Sequence, residues 1–130
     1  IRDFGEREMQ LAEESGSRVK VHYDDALAEA TMRGTAWPDL WRDIVKELPS
    51  KVYVSFDIDA LDPSMCPHTG TPVPGGLSFQ QAVKLLEALK DSGKTVVGFD
   101  LVEVAPGPED EPEWDANVGA RVLYKLCGLA

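Results

Sequence analysis

The stretch Val52–Leu77, VYVSFDIDALDPSMCPHTGTPVPGGL, constrains the fold of this chain more than any other. Val52, Tyr53, Val54, Ser55 and Phe56 are mostly β-branched or aromatic, the composition of a buried strand. Asp57 and Asp59 arrive where that strand should end. In an extended chain, residues two apart point to the same side, so two carboxylates there repel each other unless a positive charge stands between them. A metal ion is the natural candidate. Carboxylate oxygens prefer hard cations such as Mg²⁺ or Mn²⁺, and imidazoles from elsewhere would tilt the choice toward a transition metal. Aspartates also cap turns, so the Asp-x-Asp pattern by itself leaves a structural role open. Behind it, the Asp62-Pro63 turn and the run TGTPVPGG make a loop of fixed conformation, because each Pro locks φ and each Gly permits positive φ. Rigid loops beside strand ends shape pockets, although the same composition suits a plain ordered crossover.

The flanking sequence supplies the rest of the architecture. Ile1–Phe4 reads as the tail of a strand, and Gly5 precedes a helix whose Glu6 and Glu8 suit its positive N-terminal end. Arg18–Tyr23 alternates as a short strand with Val19 and Val21 on one face. Asp24–Met32 reads as a helix with Asp24 or Asp25 as N-cap. Pro38 fits the first turn of another, running to about Leu48, with Leu40, Trp41, Ile44, Val45 and Leu48 on one stripe. Ser78 and Gln81 form a capping box that opens a helix through Phe79, Ala82, Val83, Leu86 and Leu89, which Gly93 closes. Thr95–Val104 is a second apolar strand with acids late in its run, Asp100 and Glu103. After the acidic, proline-rich loop GPEDEPEWD, a last helix runs from Asn117 to about Cys127. Such alternation predicts a mostly parallel sheet covered by helices on both faces. Parallel crossovers put every strand's carboxyl end on one edge, where ligands bind. That edge would collect Asp3, Asp57, Asp59 and Glu103.

Length and charge narrow the function classes. A chain of 130 residues suits a single domain. Its formal net charge of -10 repels phosphate backbones and anionic lipid, so neither nucleic acid nor membrane is expected as a partner. The same balance suits a cationic substrate or divalent metals. No apolar run reaches the roughly 18 residues of a membrane span, and no signal peptide is visible. Cys66 and Cys127 stand in no CxxC or zinc-ligand spacing, which makes a reducing compartment the default and a cytoplasmic location the expectation. The chain opens at Ile1 in a strand-like dipeptide, which predicts that an N-terminal portion of something larger precedes it.

SFDIDALDP, then TGTPVPGGL, then GFDLVEV with its acid near the end of the following strand, closely resemble the ureohydrolase family of arginases, agmatinases and formimidoylglutamases. The closing DANVGARVLYKL resembles the family's final helix. Three motifs in the right order make the resemblance specific, and it spans nearly the whole chain from Arg2 and Asp3 onward. It implies a three-layer α/β/α fold with a mostly parallel sheet, arginase-like and incomplete at its N-terminal side. Residues 1–130 would then be the carboxyl-terminal part of a single ureohydrolase domain. It also implies hydrolysis of a guanidino or formimino carbon at a centre of two Mn²⁺ ions, usually with release of urea, by a homo-oligomer. Arginine, agmatine and related guanidino compounds are the small-molecule substrates this resemblance offers. On the matching positions, Asp57 corresponds to the metal-bridging aspartate, Asp59 to a terminal aspartate ligand, and Glu103 to the carboxylate that pairs with the guanidinium. A planar cation is best held by a bidentate carboxylate, which agrees with that role for Glu103. Thr69 corresponds to a loop position beside the substrate pocket.

The family's histidine-bearing metal motifs, of GGDH and DAHxD type, and its proton-shuttle histidine fall outside these 130 residues. No catalytic residue is therefore expected in this portion. His68 stands where relatives carry a small residue or Asn, and a polar structural role is expected of it and an unreactive one of Cys66. Gly5 occupies a place where arginases tend to set an acid toward the amino-acid end of the substrate, which leaves Glu6 and Glu8 nearby. Two other classes remain open from the sequence. One is a non-catalytic binding or assembly module of the same fold. The other is a phosphatase with an Asp-x-Asp nucleophile, whose motif wants Thr or Val where this chain has Leu61.

Overall fold

The computed structural model describes residues 1–110 and 112–129. In chain order the elements are α1 (Glu6–Glu14), α2 (Asp24–Met32), α3 (Trp37–Glu47), β1 (Lys51–Asp57), two 3₁₀ turns (Ile58–Ala60 and Pro63–Met65), α4 (Phe79–Asp91), β2 (Thr95–Val102) and α5 (Trp114–Cys127). β1 and β2 pair in parallel. The α4 crossover between them is the α/β connection that the alternating pattern predicts.

Local chemistry sets most boundaries. Pro38 enters the first turn of α3, where a missing N–H costs nothing. The Ser78 hydroxyl accepts the Gln81 N–H at 3.2 Å while the Gln81 side chain accepts the Ser78 N–H at 2.7 Å, so the capping box of α4 is complete. Gly93 follows that helix at φ 75°. Between the strands the register slips after Val52↔Val96 to Tyr53↔Gly98. The slip leaves Val97 as an extra residue, 57% exposed, and brings Gly98 under the Tyr53 ring, where a Cβ would stand 2.8 Å from Cε2.

Val52, Val54 and Phe56 face inward at alternate positions, as strand geometry requires. Val52 packs with Val45 of α3 and Leu89 of α4, and beside them Leu86 and the α5 residues Val118, Val122 and Leu126 close on Ile58 and Leu61. The other face is open among the described residues. Tyr53 is 57% exposed there, and its hydroxyl and that of Ser55 donate to the Asp100 carboxylate at 3.0 and 2.7 Å. That bond raises the Tyr53 phenol above its ordinary range. Along the free edge of β1 an apolar cavity of about 310 Å³ runs between Ile44, Leu48, Leu77 and Leu85. The parallel α/β class thus holds, with helices on one face of a two-stranded sheet.

Several boundaries differ from the sequence expectation. Ile1–Phe4 and Arg18–Tyr23 form no strands among the described residues. Among the described residues their backbones bond only around Ile1: the Ile1 ammonium donates to the His22 carbonyl at 2.9 Å, and the Asp24 N–H donates to the Ile1 carbonyl at 3.0 Å, while the Phe4 and Tyr23 rings pack with centroids 5.4 Å apart. That is one step of a parallel ladder, cut short because α2 starts at Asp24. The N-cap of α2 is Tyr23, with Asp24 already helical. β2 ends at Val102, two residues early, because Glu103 turns to φ 63°. α5 begins at Trp114 rather than Asn117. Position 111 of the GPEDEPEWD loop lies outside the described residues.

One contact carries the N-terminal segment to the end of β1. The Arg2 guanidinium donates to the carbonyls of Asp59 at 2.6 Å, Ala60 at 3.1 Å and Leu61 at 3.4 Å. It passes over Gly76, whose φ of 92° no β-substituted residue adopts easily; a Cβ there would stand 2.5 Å from Arg2 Nη1 and 2.8 Å from the Leu61 oxygen. Gly76→Ala should therefore cost more than the roughly 1–2 kcal/mol of a left-handed conformation alone. Gly16→Ala supplies the comparison, since Gly16 has φ 63° and open space around it. Urea midpoints of the two variants should differ, with Gly76→Ala the lower.

Candidate metal and substrate site

The site is built at the carboxyl end of β1. Asp57 is the last residue of the strand, and Asp59 lies in the 3₁₀ turn that follows. The two acids therefore do not share a side by strand alternation, as the sequence pattern suggested. The chain turns instead, and the Asp57 carboxylate accepts the Asp59 N–H at 3.0 Å, an Asx turn that fixes both. Burial pushes the Asp57 carboxyl above its ordinary range, and the neighbouring charges of Asp59 and Glu103 push it further in the same direction.

Glu103 comes to this edge from the end of β2. Its φ of 63° is the one positive value at a non-glycine residue among the described residues. Such a backbone is unfavourable by about 1–3 kcal/mol and collects at functional positions. Its side chain lies over Gly70, where a Cβ would stand 3.8 Å from Oε2.

The glycine- and proline-rich loop closes the site from the other side. The Asp62 N–H donates to the Leu77 carbonyl at 2.9 Å, and the Leu77 N–H donates to the Ala60 carbonyl at 3.0 Å, so the loop starts and ends at one place. Asp62 itself accepts bonds from the Ser64 N–H and hydroxyl, which hold its carboxyl below the usual range. Thr69, expected beside a substrate, is 5% exposed and donates its hydroxyl to the Glu103 carbonyl at 3.3 Å. Thr71 reaches the acids directly: its hydroxyl donates to the Asp59 carboxylate at 2.7 Å. A cleft of about 560 Å³ is lined by Asp59, Thr71, Arg2, Asp3 and Glu8 among others.

The structure brings Asp57, Asp59, Glu103 and Thr69 together, and adds Thr71 and Arg2 to them. Sequence reasoning passed over both additions. The Gly75-Gly76 pair was the available sign that something must approach the backbone there, but nothing in the local sequence says that it is Arg2. His68 is tied to Asp115 of α5, and Cys66 is buried with its thiol donating to the Ile58 carbonyl at 3.3 Å.

As donors, two crowded carboxylates with a third acid beside them suit a hard divalent cation. They make only part of a coordination sphere: among the described residues no group of three or more His, Cys, Asp or Glu side chains is placed to hold a metal ion.

Comparison with known proteins finds relatives of the whole segment. The sequence profile of the Arginase family matches residues 1–128. The N(1)-aminopropylagmatine ureohydrolase of Thermus thermophilus is 47% identical over 87 residues, covering 67% of this chain and 28% of the relative. The agmatinase of Chromobacterium violaceum is 54% identical over 78 residues, covering 60% of this chain and 23% of the relative. The chain thus spans about a quarter of the length of the curated relatives it matches. Among solved structures, the arginase from Bacillus caldovelox superposes with a TM-score of 0.78 at 28% identity, over 98% of this chain and 41% of that one.

Two outcomes follow from the titrating groups. Burial, with the charges of Asp115 and Asp59 behind it, pushes the Cys66 thiol up to about 11, whereas Cys127 is exposed. Ellman's reagent at pH 8 should titrate one thiol in the folded protein and both after unfolding. The raised Asp57 carboxyl opposes folding once it ionises, so the stability it permits is full below the unfolded carboxylate range and falls as pH rises through its folded value. Asp57→Asn keeps the acceptor for the Asp59 N–H. It should raise the thermal midpoint of the metal-free protein at pH 7 and lose that advantage below about pH 3.9.

Proposed function

The chain belongs to the arginase family, and on that premise we propose that it is the carboxyl-terminal part of a ureohydrolase that cleaves a guanidino or related amidino C–N bond with Mn²⁺. The observation that carries this reading is the meeting of Asp57, Asp59 and Glu103 at one sheet edge under a loop whose Thr71 hydroxyl is bonded to Asp59. Asp57 and Asp59 would hold the metal, and their remaining companions would come from outside these residues. Two Mn²⁺ ions in a complete site supply Lewis acidity and lower the pKa of water toward neutrality.

Glu103 offers a carboxylate, the group that pairs best with a planar guanidinium through parallel charge-assisted bonds. That carboxylate lies over Gly70, at the edge where Asp57 and Asp59 meet. Thr71 and the Asp59 N–H orient the two aspartates by bonding one oxygen of each. Asp3 and Glu8 line the cleft together with Arg2, whose guanidinium is engaged by the Asp59, Ala60 and Leu61 carbonyls. They favour a guanidino compound that ends in an amine over one that carries a carboxylate, since like charges would meet in the second case.

The location belongs to the same proposal. Both cysteines carry free thiols, as a reducing compartment such as the cytoplasm favours. No described helix is long and apolar enough to cross a membrane.

The test is urea release by the full-length protein that carries these residues, loaded with Mn²⁺ and offered agmatine, arginine and other guanidino compounds. Agmatine should outperform arginine. Glu103→Gln should lower kcat/KM roughly 10- to 100-fold, the size of about 1.5–3 kcal/mol for a hydrogen bond to a charged group. Residues 1–130 alone should release no urea. Absence of urea from every substrate with the full-length, metal-loaded protein would sink the reading, as would activity of the 130 residues alone.

A further inference from the structure

Asp115 is 1% exposed, in the first turn of α5, and nothing in the function proposed above uses it. A carboxylate withdrawn from water is unfavourable unless its oxygens are paired. Both of its oxygens are engaged by one loop residue, 47 positions away. Oδ2 accepts the His68 backbone N–H at 3.0 Å, and Oδ1 stands 2.9 Å from the His68 ring Nδ1. The ring lies against Gly107, where a Cβ would stand 2.9 Å from Cε1. One residue before Asp115, the Trp114 indole N–H donates to the Ser64 carbonyl at 2.9 Å. The first turn of α5 therefore grips the loop at two points.

The three residues after His68 are those that touch the site. Thr69 bonds the Glu103 carbonyl, Gly70 lies under the Glu103 carboxylate, and Thr71 bonds the Asp59 carboxylate. So few peptide units leave little slack, so a displacement of His68 is carried to Thr71. An acid that served only to stabilise the start of α5 would need neither burial nor a partner in a distant loop.

We propose that Asp115, acting through His68, is a positioning residue that sets Thr69–Thr71 against Glu103 and Asp59 and so tunes substrate binding. The proposal rests on the function proposed above for Glu103 and Asp59. His68 is neither ligand nor proton carrier in it; it is the joint between α5 and the loop.

The test uses the full-length protein with Asp115→Asn, which keeps the shape but replaces the two charged acceptors facing His68 with one neutral acceptor and one N–H donor, so that the charge-assisted bond is lost. Amide hydrogen exchange should quicken at His68–Thr71 and stay unchanged in α4. KM for the preferred guanidino substrate should rise about tenfold, the size expected for one lost hydrogen bond to a charged group, with kcat within about threefold and bound metal unchanged. Gly107→Ala pushes on the His68 ring while Asp115 stays intact, so it should shift exchange and KM in the same direction. If Asp115→Asn does not fold, Gly107→Ala decides. Unchanged exchange and KM overturn the proposal, and so does a fall in kcat that only follows the loss of folded protein. Should the wild type release no urea, the function proposed above fails by itself, and exchange at His68–Thr71 then decides the positioning role.

Discussion

The Arg2 guanidinium ties the molecule's functional edge together. It donates to the backbone carbonyls of Asp59, Ala60 and Leu61. A charged donor shared among carbonyls of one tight turn fixes that turn's position as well as its shape. The same turn carries Asp59 and receives the returning loop through the Leu77 N–H. The glycines at 75 and 76 follow from it, since a side chain at either place would meet Arg2. One cation thus sets the N-terminal segment, the acid-bearing turn and the end of the loop in a single arrangement.

Above that turn the structure accumulates what folding alone would avoid. Asp57 is partly buried beside two other acids, and Glu103 holds a left-handed backbone. Each feature opposes stability. Both sit at the ends of adjacent parallel strands, where the backbone is held from below by the core around Ile58, Leu61 and the inner face of α5. A rigid apolar base lets the edge keep an arrangement that by itself opposes stability.

The legible part of the sequence was the part governed by local rules. The two parallel strands, the capping box at Ser78, the proline start of α3 and the glycine stop after α4 follow from propensity and hydrogen-bond bookkeeping within a few residues. The strand readings at Ile1–Phe4 and Arg18–Tyr23 failed for the opposite reason. A strand exists only with a backbone partner, and among the described residues these two segments share backbone hydrogen bonds only around Ile1, their other contact being the packed Phe4 and Tyr23 rings. Asp57 and Asp59 were found in the sequence for a reason the structure replaces: a turn, not strand alternation, brings them together.

By itself the sequence determined the parallel α/β class, the family, and the acids at the ends of β1 and β2, because hydrophobic period and motif order are properties of the linear chain. Only the tertiary structure decided which groups hold those acids. Arg2 is remote in sequence from the carbonyls it binds, and so are Thr71 from Asp59 and Asp115 from His68. The physical reason is that a buried charge takes whatever partner the packed chain delivers, and that delivery depends on how α5 and the N-terminal segment close on the loop. No local pattern of residues records it.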